Sequence, residues 1–207
     1  MLLNLSSDHA RRIVASVAVV LALAACGRSE PAGGGAAQSA GPQVPAPVDY
    51  PPVEPIEPGQ PGGLPDDRTP ISEAPFAPTS AQAAADVLQV YFALIGEKKF
   101  EEAWELWNGE PTDGANATGM TKAQFVADLN RYYQYSAQVG APGDTEGAAG
   151  SIYVTAPVQI YGRLKTGEAF HQRGEATLRR VNDVDGSSER QRRWHISKIE
   201  TAPVPGG

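Results

Sequence analysis

The chain has 207 residues, a net charge of −7, an isoelectric point near 5.0 and one cysteine. The acidic balance excludes a non-specific nucleic-acid binder, which needs a basic face. A single thiol excludes an internal disulfide and a zinc site built on thiolates, so the folded part must be held by its core alone.

In chain order, Arg11 and Arg12 precede an uncharged run, residues 13–25, of Ile, Val, Leu, Ala and one Ser. A basic start, a short apolar stretch and small residues at its end form a secretory signal. The run is shorter than the roughly 20 apolar residues needed to span a bilayer. Its end, Leu23-Ala24-Ala25-Cys26, resembles the lipobox of bacterial lipoproteins. That resemblance implies cleavage before Cys26, acylation of its sulfur and its new amino group, and a lipid-anchored protein of the cell envelope. Gly27 is not the Asp that retains such proteins in the inner membrane of enteric bacteria, which favours an outer-membrane site facing the periplasm. The rival reading is an ordinary signal cut after Ala22-Leu23-Ala24, which would release a soluble protein. Removal of residues 1–25 takes away Arg11, Arg12 and Asp8 and leaves a net charge of −8, so anionic lipid offers no attraction and the anchor must be covalent.

Residues 26–78 read as an acidic, disordered tether after the lipidated cysteine. Beyond Cys26 this stretch holds 13 of the 18 prolines and 8 of the 22 glycines, which leaves no room for a helix or a central strand. Its few large apolar residues show no period. As a coil it would reach roughly 40 Å, and as extended polyproline II about 160 Å. Pro-Val-Asp-Tyr-Pro-Pro-Val at 47–53 has an alternative role as a docking ligand for an aromatic groove, but a plain spacer is the preferred reading.

The globular domain is expected over residues 79–203. Ser80 caps a helix whose Ala84, Val87, Leu88, Tyr91, Leu94 and Ile95 follow the 3.6-residue period, with Gly96 as its stop. A short second helix aligns Phe100, Ala103, Trp104 and Trp107 and ends at Gly109. Thr121 and Gln124 form a capping box for a third, which turns Phe125, Val126 and Leu129 inward. The period then changes to 2. A strand over Tyr132–Val139 has its alternation blurred by tyrosines, whereas Ser151–Leu164 alternates cleanly, with Pro157 marking an edge or bulge. A turn at Lys165-Thr166-Gly167-Glu168 leads into Ala169–Val181, and a polar loop at 182–190 leads into a last strand at 191–200. Helices followed by an antiparallel meander give the α+β class, with the helices on one face of the sheet.

Residues 91–104, Tyr-Phe-Ala-Leu-Ile-Gly-Glu-Lys-Lys-Phe-Glu-Glu-Ala-Trp, resemble the opening of the nuclear transport factor 2-like superfamily. The resemblance covers residues 80–200 and implies a strongly curved sheet that forms a cone with the helices. Members of that superfamily include ketosteroid isomerase and scytalone dehydratase as well as non-enzymatic binding and oligomerising modules, so fold leaves function open.

The enzymatic members carry an Asp or His base inside the cone and a Tyr or protonated acid as oxyanion donor. On that pattern His171, Asp86 and Tyr91 are the catalytic candidates here, with Tyr132, Tyr133 and Tyr135 as further hydroxyl donors. Tyr91, Trp104, Tyr133 and Phe170 are the candidate pocket. Each also has a plain structural reading: His171 alternates with Arg173 and Glu175 on a solvated or interface face, and the tryptophans sit at core spacing. His195 follows Trp194 in the last strand. The arginines of the last two strands, interleaved with glutamates, read as cross-strand ion pairs, with an acidic partner as the alternative.

Asp183-Val184-Asp185-Gly186 lacks the remaining calcium ligands and reads as a turn. No phosphate loop, Gly-x-Ser-x-Gly run or metal-spaced His cluster occurs, so neither metal nor cofactor is called for. The preferred function is a lipid-anchored, non-enzymatic module that binds a small apolar ligand or an envelope protein, with homodimerisation through the sheet face as a further option. The alternative is a cone-fold lyase or isomerase acting on a small apolar substrate by acid–base chemistry.

Overall fold

The computed structural model describes residues 48–67, 75–107, 119–148 and 150–205. Three helices, α1 (Ala81–Gly96), α2 (Phe100–Trp104) and α3 (Lys122–Leu129), precede strands β1 (Tyr132–Val139), β2 (Glu146–Ala148), β3 (Ser151–Leu164), β4 (Ala169–Val181) and β5 (His195–Pro203). The strands pair antiparallel in the order β1-β3-β4-β5, with β2 also on β3. This is the expected α+β arrangement. The signal segment, Cys26, Gly109 and the rest of 1–47 lie outside the described residues.

Local chemistry sets the helix ends. The Ser80 hydroxyl accepts from the Ala83 N–H, and both bonds of the Thr121/Gln124 capping box are present. Gly96 is not the stop that its type predicts. It stays helical, and the left-handed residue is Lys98, at φ 61°. The Lys98 N–H reaches the Ile95 carbonyl at 2.9 Å and the Lys99 N–H reaches the Leu94 carbonyl at 2.8 Å, which is a Schellman closure with lysine in the glycine position. The last strand starts at His195 rather than 191, and the short β2 had no signal in the sequence.

The sheet face toward the helices carries Val154, Ala156, Val158, Ile160, Ala176, Leu178 and Ile196, all buried. Against them pack Leu88, Tyr91, Phe92 and Ile95 of α1, with Trp104, Trp107, Phe125 and Leu129. After α2 the chain closes onto β5, where the Ile196 N–H donates to the Leu106 carbonyl at 2.8 Å. Pro157 sits inside β3 without breaking it. Its carbonyl accepts from Gly140 at 2.8 Å, so its missing donor faces the gap where β1 has ended and β2 has not begun.

The tether reading fails for residues 48–67, and the domain begins before Thr79. This segment forms a strap that packs on the outer face of the sheet and belongs to the same compact unit as residues 75–205. Val53 and Leu64 are each 7 % exposed. Tyr50, Val53 and Ile56 make the contacts described below, and their spacing of three is the repeat of polyproline II. A period of three belongs to neither the helix, at 3.6, nor the strand, at 2. A turn held by Gly59 N–H to the Leu64 carbonyl at 2.8 Å ends the strap, and Gly62 packs so close to Val204 that a Cβ could not fit.

His195 is buried at the start of β5, and its Nε2 donates to the Arg190 carbonyl at 2.8 Å. Burial holds the imidazole below its ordinary 6.5; the carbonyl bond opposes this, while the Arg190 and Arg193 charges reinforce it. The folded chain thus takes up this proton less readily than the unfolded chain, so the cost appears as pH falls below about 6.5. Thermal melts between pH 7.5 and 5 should show the midpoint falling on acidification, with a shallower fall in His195→Gln.

Candidate functional site

The structure puts the three catalytic candidates on three sides of the molecule. Asp86 is exposed on α1, away from the sheet. Tyr91 lies at the centre of the core, its ring edge-on to Phe92 at 5.0 Å and to Trp107 at 5.9 Å, and burial pushes its phenol far above the ordinary range. His171 lies on the outer face, half-buried beneath the strap. Its Nε2 donates to the Glu54 carbonyl at 2.8 Å and its ring stacks on Tyr161 at 6.2 Å. The sheet stands between His171 and Tyr91, so they cannot act on one atom. Among the described residues no Asp or Glu is buried; the buried polar side chains are Ser151, Gln159, Arg180 and His195. The base that proton abstraction in a cone requires is thus not supplied by these candidates.

Of the four candidate pocket residues, Tyr91 and Trp104 share one cluster, where Trp104 meets Phe125 at 5.3 Å and Tyr91 meets it at 6.5 Å. Phe170 packs with Tyr132 at 5.2 Å and Tyr135 at 6.2 Å in a second cluster, linked to the first by Phe92 against Tyr135 at 6.5 Å. These rings fill the space between helices and sheet. Burial also pushes the Tyr135 phenol well up, so it remains a neutral donor. Tyr133 points the other way because β1 carries a bulge between Tyr132 and Gln134. The bulge turns Tyr132 inward and Tyr133 outward, where it is 42 % exposed and meets Tyr50 edge-on at 5.4 Å. Glycine at 162 permits this approach, since a Cβ there would strike the Gln134 carbonyl.

A cleft of about 560 Å³ opens where the strap meets the bulge and the α1–α2 turn. Tyr50 and Pro52 wall it on one side, Ile95, Lys98 and Phe100 on another, and Leu129 with Tyr132 and Tyr135 form its floor. Among the described residues Lys98 is the one charged residue of the lining, and no carboxylate lines it. Beside the cleft the Arg131 guanidinium donates to the Tyr132 hydroxyl at 2.6 Å and pairs with Asp128 at 3.3 Å. The arrangement offers aromatic walls, phenolic hydroxyls and one cation. It suits the binding of an apolar or aromatic body more than proton transfer.

The strap wall is fixed by groups that had no apparent role in the sequence. Gln134 accepts from the Val53 N–H at 2.8 Å and donates to the Val53 carbonyl at 3.0 Å. Gln159, fully buried, has its amide oriented by its partners: it accepts from the Ile56 N–H at 2.9 Å and donates to the Ile56 carbonyl at 3.2 Å. Arg163 donates to the Pro51 carbonyl at 3.2 Å and lies over the Tyr50 ring at 5.3 Å. Among the described residues no His, Cys, Asp or Glu group could hold a metal ion, and no helix is long and apolar enough to cross a membrane.

No protein-family model and no curated protein sequence matches the chain. Some solved structures resemble part of it. A nuclear transport factor 2-like superfamily protein from Salmonella enterica is 8 % identical, covers 59 % of this chain and 89 % of its own, and has a TM-score of 0.44. The Kfla4162 protein of Kribbella flavida is 13 % identical over 59 % of this chain and 90 % of its own, at 0.42. A putative scytalone dehydratase from Novosphingobium aromaticivorans is 15 % identical over 59 % and 82 %, at 0.39. These are likenesses of chain path alone.

A lysine in the left-handed region costs about 1 kcal/mol that glycine would not. Lys98→Gly is expected to raise stability by about that amount in urea denaturation.

Proposed function

We propose that this protein is a bacterial envelope lipoprotein, anchored through acylated Cys26, whose domain binds a small apolar or aromatic ligand in the tyrosine-walled cleft without catalysing its conversion. The observation that carries the binding reading is the cleft itself: among the described residues its lining is rich in rings, has no carboxylate, and holds Lys98 in a conformation that glycine would adopt at lower cost. Lys98 is placed to meet an anionic group on such a ligand.

Docking of the strap changes what the anchor means. From Cys26 to the strap run only residues 27–47, whose polyproline-II length is about 65 Å, against about 160 Å for a tether reaching residue 78. The domain would work near the membrane that holds it. A homodimer through the sheet face would have to use the part beyond the strap, where Glu175 and Lys198 are exposed.

Two measurements test this reading. Labelling with a radioactive fatty acid should mark the parent chain, and Cys26→Ser should lose the label and leave the membrane fraction; a label retained by Cys26→Ser sinks the anchor. The aromatic anion 8-anilino-1-naphthalenesulfonate should bind the folded domain saturably. Tyr133→Ala and Lys98→Gly should each weaken it about tenfold, which corresponds to about 1.4 kcal/mol. Equal binding by all three proteins rejects the cleft.

A further inference from the structure

We infer that the outer face of the sheet is a recognition groove for extended, acidic proline-rich segments, occupied in cis by residues 50–56 and open to such a segment from another polypeptide. This inference does not rest on the cleft ligand, although the strap that fills the groove also walls the cleft with Tyr50 and Pro52.

The strap is held in the manner of a bound peptide. It enters no strand ladder. Its main chain is read by side chains from the sheet: Gln134 takes both the N–H and the carbonyl of Val53, and Gln159 takes both from Ile56. His171 Nε2 donates to the Glu54 carbonyl and Arg163 to that of Pro51. Two amide forks three residues apart match one turn of polyproline II and place few demands on the side chains between them. Side-chain selectivity lies at the same spacing. Tyr50 lies between Tyr133, Arg163 and Gly167, where a Cβ on Gly167 would press on the Tyr50 hydroxyl. Val53 is buried, and Ile56 lies against Gly62 beside Val204.

Pro51, Pro52 and Pro55 restrict the free chain before it docks, so little entropy is lost on binding. Charge agrees with the assignment. Asp49, Glu54 and Glu57 lie on the strap, while Arg163, with Arg173 next to Gln159 in register, lies on the sheet. The class that fits is therefore aromatic-Pro-Pro-aliphatic-acidic-Pro-aliphatic. The cis copy acts at a local concentration in the millimolar range, so it wins against a dilute competitor and yields to a concentrated or multivalent one.

The test uses the full chain with Tyr50→Ala, Val53→Ala and Ile56→Ala, and a fluorescent synthetic peptide of residues 47–58 read by polarisation. The substituted chain should bind the peptide saturably, at least tenfold more tightly than the unaltered chain, and adding Gln159→Leu should weaken binding at least tenfold. A substituted chain that keeps the parent circular dichroism yet binds no peptide overturns the inference. So does equal binding of a peptide with Asp at 53 and 56. Hydrogen exchange on the unaltered chain needs no variant: the amides of Val53 and Ile56 should exchange at least tenfold more slowly than in the free peptide, and equal rates overturn the assignment.

Discussion

A fully buried uncharged amide governs this structure. Gln159 points to the outer face of β3, where a sheet with helices on one side would ordinarily meet water. Leaving such a group buried without partners costs about 1–3 kcal/mol. The strap supplies Ile56 as donor and acceptor, with Gln138 at 3.3 Å. That contact covers the outer face of β3 at Gln159, and Gln134 holds Val53 one polyproline turn away. Tyr50 meets Tyr133 at the bulge in β1 and walls the cleft. The strap, the groove and the cleft wall are one arrangement with one polar requirement.

The inner face obeys a different rule. Its contacts are apolar and aromatic, and they occupy the volume in which a cone-shaped fold could otherwise hold a substrate. Burial drives the phenols of Tyr91 and Tyr135 upward and leaves them neutral, so they cannot serve as bases. The exposed carboxylates stay at the rim in ion pairs such as Lys122 with Glu105 at 2.7 Å. Stability and acid–base chemistry compete for the same interior, and here rings hold it. What remains for recognition is the outer face and the cleft, where backbone and side-chain donors are still within reach of a ligand.

Legibility followed the range of the interaction. The capping box at Thr121 was readable because its partners lie three residues apart. The period-2 alternation over Ser151–Leu164 matches the structure, where Ile160 faces the helices and Gln159 the strap. Gly96 misled, because Lys98 and Lys99 close the helix one Schellman step later, and type alone cannot say which residue takes the left-handed position. Tyr133 could not be aimed, since a bulge that inserts one residue reverses the side-chain direction and leaves no mark in composition. The tether reading fails over residues 48–67 for a related reason: proline excludes helix and strand, yet it does not exclude docking.

By itself the sequence determined the α+β class, the order of the three helices and the four longer strands, and the inward faces of α1, α3 and β3, because these depend on local periods, caps and turns. It also marked Cys26 as the residue to test for a lipid. Only the tertiary structure decided that Gln134, Gln159, Arg163 and His171 converge on a proline-rich segment more than 70 residues upstream. Buried polar groups choose their partners by distance in space, and no local pattern records a contact between Val53 and Gln134.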